Sequence, residues 1–108
     1  MMNMQIKDQI FGVLADGKEV HLYTISYGNL TFSATNYGAC LTSLIVPDKN
    51  NKKEDIIVGF PNLQGYISNW MSHGAIVGRY ANRISKASFK IDDITYQLDK
   101  NGEKGSCL

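Results

Sequence analysis

Short alternating segments cut by turn residues run almost the whole length of this chain, and no stretch has the apolar spacing of a long amphipathic helix. The clearest case lies near the end. Ala87, Phe89 and Ile91 alternate with Ser88 and Lys90, Asp92-Asp93 turns the chain, and Ile94, Tyr96 and Leu98 alternate with Thr95 and Gln97. Period-two alternation on both sides of a polar turn predicts a β-hairpin.

The same grammar extends back to the start. Gly12 and Asp16-Gly17 bracket short extended pieces. EVHLYTISY puts Val20, Leu22 and Thr24 on one parity and His21, Tyr23 and Ile25 on the other, so both faces are partly apolar, as in a strand covered on both sides. Gly28-Asn29 marks a turn. Leu30, Phe32 and Ala34 then share one face of a strand whose other face carries Thr31, Ser33 and Thr35. After Gly38, LTSLIV is rich in branched residues and ends at Pro47, which removes a ladder donor. PDKNNKKED reads as an exposed loop and DIIVGF as a short strand. PNLQGYISNW has room for one helical turn, with Pro61 tolerated at its start. Asn101-Gly102 is a further turn signal. The class is all-β, with many short strands. Strands that run up to the end of the chain leave an open edge, which points to part of a larger fold.

A chain of 108 residues holds one domain. Its 11 basic and 10 acidic residues nearly cancel, which argues against capture of nucleic acid or an anionic membrane. Lys49, Lys52 and Lys53 are offset by Asp48, Glu54 and Asp55 and read as a solvated turn. Cys40 and Cys107 stand far apart, and with His21 and His73 they give neither a disulfide framework nor metal-ligand spacing. Cys40 reads as a small buried hydrophobe. The first residues lack the apolar core of a signal peptide, and no apolar run is long enough for a membrane span, so the cytoplasm is the expected compartment.

Polar residues embedded in apolar sequence single out HGAIVGRYANRISKASF. Arg79 and Arg83 each offer five donors in a planar fork, and Asn82 offers both donor and acceptor. That set suits a neutral polyhydroxyl ligand, and Tyr66, Trp70 and Tyr80 could supply a platform for the apolar face of a sugar ring. The competing reading pairs both arginines with carboxylates at a sheet edge. Geometry adds a condition. In a regular strand Asn82 and Arg83 point to opposite faces, so both reach one ligand only where the backbone bulges or leaves the strand. His21 and His73 read as structural, and the Asp92-Asp93 pair is explained by turn chemistry. No phosphate-binding loop or nucleophile elbow is present.

The pieces YTIS, ATNYGACLTSLIVPDKN, DIIVGF, LQGY, GAIVGRYANRI and YQLDKNG, in this order and across nearly all of the chain, resemble the N-terminal part of the aldose 1-epimerase (galactose mutarotase) family. GRYANRI following NYGA and VPDKN is the most specific of these matches. The resemblance implies an antiparallel β-sandwich, a partial galactose-mutarotase-like supersandwich. It implies interconversion of the α and β anomers of aldohexoses such as glucose and galactose. A glutamate of the family acts as general base on the anomeric hydroxyl and a histidine as general acid on the ring oxygen, without cofactor or metal.

Carried over residue by residue, Asn82 and Arg83 match the family's sugar-binding Asn-Arg pair, while Arg79 and Tyr80 match the pattern before it and are possible pocket residues. The family's next element is Leu-His-Gly-Gly, whose histidine binds substrate. Here the chain reads NGEKGSCL, so that Leu108 stands for the leucine. The catalytic histidine and glutamate have no counterpart among residues 1–108, so no catalytic residue is assigned. The expectation is the N-terminal portion of one aldose 1-epimerase domain, truncated at its C-terminus and inactive alone. A non-catalytic carbohydrate-binding or purely structural β domain is the alternative. The expected partner is a small aldohexose, with no nucleic acid and no membrane, and the oligomeric state is left open.

Overall fold

Tight turns of left-handed backbone allow the first half of the chain to fold back on itself four times. In the computed structural model, which describes residues 3–68, 71–102 and 105–107, β1 (Gln5–Val13), β2 (Glu19–Tyr27), β3 (Leu30–Thr35), β4 (Cys40–Pro47) and β5 (Lys53–Asp55) form an antiparallel meander in sequence order. Gly28 joins β2 to β3 at φ 57°, a conformation that carries no Cβ penalty in glycine. The β4–β5 turn is closed by the Asp48 carboxylate, which accepts from the Asn50 and Lys52 amides at 2.7 and 2.9 Å.

The chain divides into Met1–Ile76, which contains this sheet, and Val77–Leu108. In the second unit β6 (Ser88–Ile91) and β7 (Ile94–Gln97) form the hairpin expected from the alternation. Asp92 and Asp93 sit at φ 46° and 67°, the two positive values that a two-residue type I′ turn requires. Among the described residues all strand pairing is thus antiparallel, and the all-β class expected from the sequence is what forms. Among the described residues no helix is long and apolar enough to cross a membrane.

Register assigns the five-stranded sheet two chemically different faces. Ile6, Ile25, Phe32 and Leu44 lie on neighbouring rungs, and Ile10, Tyr23, Tyr27, Leu30, Ala34 and Val46 share their side. The opposite side carries a row of hydroxyls, with Thr24 and Ser33 oxygens 2.9 Å apart and Ser26 and Thr31 oxygens 3.1 Å apart. A bulge between Ile10 and Gly12 places one extra residue, Phe11, in β1 and breaks its alternation. The Phe11 ring packs against Tyr66 at 5.8 Å.

The core lies on the hydroxyl side of the sheet. The chain turns there through one short helix, α1 (Leu63–Ile67), as the helical turn expected in PNLQGYISNW. Asn62 caps it by accepting from the Gly65 amide at 3.2 Å, and Pro61 stands just before the cap. Leu63 and Tyr66, three residues apart, present one buried edge. Gly12 makes way for Leu63, since a methyl group there would stand 2.7 Å from Leu63 Cδ2.

Two expectations need correction, at DIIVGF and at Tyr66, and packing settles which face of β3 is covered, a choice that alternation left open. The strand expected at DIIVGF lies earlier, at Lys53–Asp55, inside the stretch expected to be a loop. The Ile56 amide still donates to Leu44 O at 2.9 Å, but the Leu44 amide donates to the Asp55 carboxylate at 2.9 Å, which also accepts from the Ile57 amide at 3.0 Å, so a side chain takes half of this last rung and the pairing stops there. In β3 the polar parity is the more buried one: Ser33 and Thr35 are buried, with Thr35 2% exposed, whereas Leu30 is exposed and Phe32 and Ala34 are half-buried. The segment that covers the sheet packs on the hydroxyl side. Tyr66, a candidate sugar platform, is core at 5% exposure.

Candidate functional site

The segment that carries Arg79, Tyr80, Asn82 and Arg83 belongs to no strand. Its backbone reverses at Asn82, where φ is 69°. Asparagine tolerates this left-handed conformation better than most residues because its short polar side chain can bond locally. The departure from strand geometry satisfies the condition set by alternation. The Asn82 and Arg83 side chains do not diverge; Arg83 Nη1 lies 3.4 Å from Asn82 Oδ1, a long hydrogen bond.

The end of the segment is anchored just beyond Arg83. Ile84 and Cys107 form an antiparallel bridge, with Ile84 N donating to Cys107 O at 2.8 Å and Cys107 N donating to Ile84 O at 3.1 Å. A 3₁₀ turn, Ser85–Ala87, follows, with Lys86 at φ 58° and Ala87 at φ 49°. Left-handed backbone costs an L-residue about 1–2 kcal/mol, so this turn needs support from its surroundings. Ala87 is fully buried, and its carbonyl accepts both the Leu98 amide at 2.8 Å and the Gln97 side-chain amide at 2.9 Å. Gln97, Lys86 and Ala87 were not singled out from the sequence. The piece YQLDKNG contains Gln97, but consecutive left-handed residues that are not glycine leave no mark in composition.

Asn82 and Arg83 are exposed, and Tyr80 is 91% exposed. Among the described residues neither Arg79 nor Arg83 pairs with a carboxylate, so the edge ion pairs of the competing reading are not formed there. The donor fork of Arg83 and the amide of Asn82 therefore stand side by side in water. Such a pair can bracket two vicinal hydroxyls, the guanidinium donating and the amide donating or accepting. Trp70, the remaining aromatic candidate, lies outside the described residues, as does Leu108.

The recesses of the first unit are separate features of different chemistry. One, of about 460 Å³, is lined by Phe60, Asn62, Gln64, Ser68, Met71 and His73. Its amide groups serve the helix: Asn62 caps Gly65, and Gln64 donates to Ser68 Oγ at 3.2 Å. The His73 ring stacks on Phe60 at 6.0 Å, a packing role like the one expected for it. His21 likewise has a structural role, with Nδ1 2.7 Å from Asp8 Oδ1 across β1 and β2.

The displaced ionisations are also structural. Burial pushes the Cys40 thiol up, and its Sγ donates to His73 O at 3.1 Å. Burial likewise raises the Tyr66 hydroxyl. The Ser43 hydroxyl, followed by the Leu44 amide, holds the Asp55 carboxyl below its ordinary value. Among the described residues no cluster of three or more His, Cys, Asp or Glu side chains is gathered as a metal site would require.

Comparison with known proteins accounts for this sequence. The family model for aldose 1-epimerase matches residues 21–107. A probable aldose 1-epimerase of Arthroderma benhamiae is 44% identical over 91 residues, which cover 81% of this chain and 21% of that protein. The galactose mutarotase of Homo sapiens is 35% identical over 98 residues, 90% of this chain and 29% of its own length. The aldose 1-epimerase of Streptococcus thermophilus is 30% identical over 105 residues, 97% and 30% of the two chains. The matched region is thus between about a fifth and a third of each of these relatives. The antiparallel all-β architecture agrees with the partial β-sandwich that the resemblance implies. With residues 21–107, most of the chain, matched by the family model, the chain belongs to the aldose 1-epimerase family.

Proposed function

We propose that these 108 residues are the N-terminal portion of a mutarotase domain and contribute one wall of an aldohexose site. In this reading Asn82 and Arg83 hold sugar hydroxyls, and Arg79 and Tyr80 border them. The observation that carries the reading is the left-handed backbone at Asn82, which sets its amide 3.4 Å from the Arg83 guanidinium in the ANR segment. A polar pair without carboxylate partners among the described residues is suited to a neutral ligand whose hydroxyls both give and receive hydrogen bonds.

The reaction we assign to the complete domain is anomer interconversion. A base takes the proton of the anomeric hydroxyl while an acid protonates the ring oxygen. The C1–O5 bond opens, the aldehyde end rotates, and reclosure gives the other configuration. In this reading the family's acid–base pair is not among residues 1–108. We therefore assign binding, and not turnover, to the residues present.

Polarimetry of freshly dissolved α-glucose tests the second half of this reading: the purified chain leaves the rate at that of a boiled control. Saturable acceleration above that control would overturn it. Galactose titration followed by NMR tests the first half. Weak, saturable shifts at Asn82 and Arg83 are expected, because an open wall lacks the enclosure that gives sugar sites their affinity. Shifts confined to other residues would leave a structural β domain as the better description.

A further inference from the structure

Asn82 and Arg83 keep their mutual placement only if the backbone after them is held, and among the described residues the Gln97 side chain reaches the strained turn that does so. Gln97 Nε2 donates to Ala87 O at 2.9 Å across the first rung of the β6–β7 hairpin, where Gln97 faces Ser88. Ala87 N in turn donates to Ile84 O at 3.1 Å, and Ile84 adjoins Arg83. Lys86 and Ala87 are both left-handed and neither is glycine, so the turn depends on these bonds and on the burial of the Ala87 methyl group.

We propose that Gln97 is a positioning residue for the Asn82–Arg83 pair, acting through the Ala87 carbonyl and the Ile84 anchor. The part of the proposal that concerns ligand affinity rests on the sugar-binding reading given above. The positional part does not.

The chemistry required at position 97 is a donor at the end of a side chain of this length. Met has comparable reach and no N–H. A glutamate has the same shape, but its ionised form brings a negative oxygen to the Ala87 carbonyl, and only its protonated form donates. Its unperturbed pKa is about 4.3. Loss of the bond at neutral pH and its return in acid therefore separate donation from mere packing.

The test is NMR of the 108-residue chain in native, Gln97→Met and Gln97→Glu forms, first without sugar. The Asn82 amide–Hα coupling and the Asn82 side-chain NH₂ and Arg83 Nε–H signals report the placement directly. Both variants are expected to keep native amide dispersion in the hairpin yet shift these three signals at pH 7. The Glu variant is expected to return them toward native positions at pH 4, compared with native protein at pH 4. Galactose titration should then show about five-fold weaker affinity for both variants at pH 7, the effect of losing one ordinary hydrogen bond.

Unchanged Asn82 and Arg83 signals in either folded variant would overturn the proposal, as would a Glu variant that stays displaced at pH 4. If the Met variant loses dispersion, the acid recovery of the Glu variant decides the matter. Absence of galactose binding in the native chain would sink the sugar-binding reading alone, since the sugar-free signals still judge Gln97.

Discussion

The Tyr66 hydroxyl accepts the amide hydrogen of Phe60 at 3.0 Å, while the Tyr66 ring meets the Phe60 ring edge-on at 5.2 Å. One side chain thereby fixes both the backbone entering α1 and the packing beneath it. Tyr66→Phe keeps the ring and leaves the Phe60 amide without its acceptor. The variant should lose about 1–2 kcal/mol. Tyr66→Ala also opens a cavity and should lose about 3–5 kcal/mol. Urea midpoints measured at constant slope check both values, and equal midpoints for native and Phe forms would remove the hydrogen bond from the account.

Gly74 stands at φ 74°, and its carbonyl accepts the Leu41 amide at 2.8 Å. A Cβ at this position would collide with the Leu41 carbonyl, which is backbone and cannot swing away. Gly74→Ala should therefore cost more than the about 1 kcal/mol of left-handed strain alone. A thermal midpoint within a degree of the native value would contradict the close approach of the two backbones.

The Asp55 carboxyl titrates below its ordinary value of 3.8, through the Ser43 hydroxyl first and the Leu44 amide second. A depressed carboxyl contributes stability above the unfolded value and loses it as the pH falls through the folded one. Native protein should therefore weaken as the pH drops below about 3.8. Asp55→Asn should be less stable at pH 6 and show a shallower fall over the acid range. Denaturant melts from pH 6 to pH 2.5 check this; parallel curves for the two proteins would deny Asp55 its part.

Arg83→Lys replaces a planar fork by a point charge and should not restore binding lost in Arg83→Ala. Both are expected to weaken galactose binding by about ten-fold or more, the scale of a hydrogen bond to a charged group. Asn82→Gly keeps the backbone and removes the amide, so it should weaken binding without changing hairpin signals. NMR titration measures all three, and a Lys variant of native affinity would argue for simple charge at this position.

The exposed side of the five-stranded sheet, with Ile6, Ile10, Tyr27 and Leu30 all at least half exposed, should bind an environment-sensitive hydrophobic dye while the protein is folded. Leu30→Lys should reduce both dye binding and concentration-dependent association. Light scattering and dye fluorescence unchanged by the substitution would show that this surface does not govern association.

What could be read from the sequence was local. The β6–β7 hairpin follows from alternation about Asp92-Asp93, which needs no distant partner. The α1 turn was visible in Pro61 and the residues after it. In β3, alternation of Leu30, Phe32 and Ala34 with Ser33 and Thr35 told two faces apart, but not which would be covered. That choice belongs to the segment folding back over the hydroxyl side. DIIVGF misled because its apolar residues suit a strand, whereas the Asp55 side chain ends the ladder by capturing Leu44 and Ile57. Tyr66 could have been placed in the core from its spacing of three from Leu63. The proximity of Asn82 to Arg83 depended on a positive φ that an asparagine permits and does not announce.

The extra residue between Ile10 and Gly12 has a consequence for how the N-terminal strand tolerates insertion and deletion. Removing Phe11 would bring Ile10 directly before Gly12 and leave the pairs from Gln5↔Ser26 to Ile10↔His21, and Gly12↔Val20, as they are. A deletion at this point should therefore spare the register and cost chiefly the ring contact of Phe11 with Tyr66. A deletion within Gln5–Ile10 would instead set the residues before it one step out of phase, turning them to the other face of the sheet.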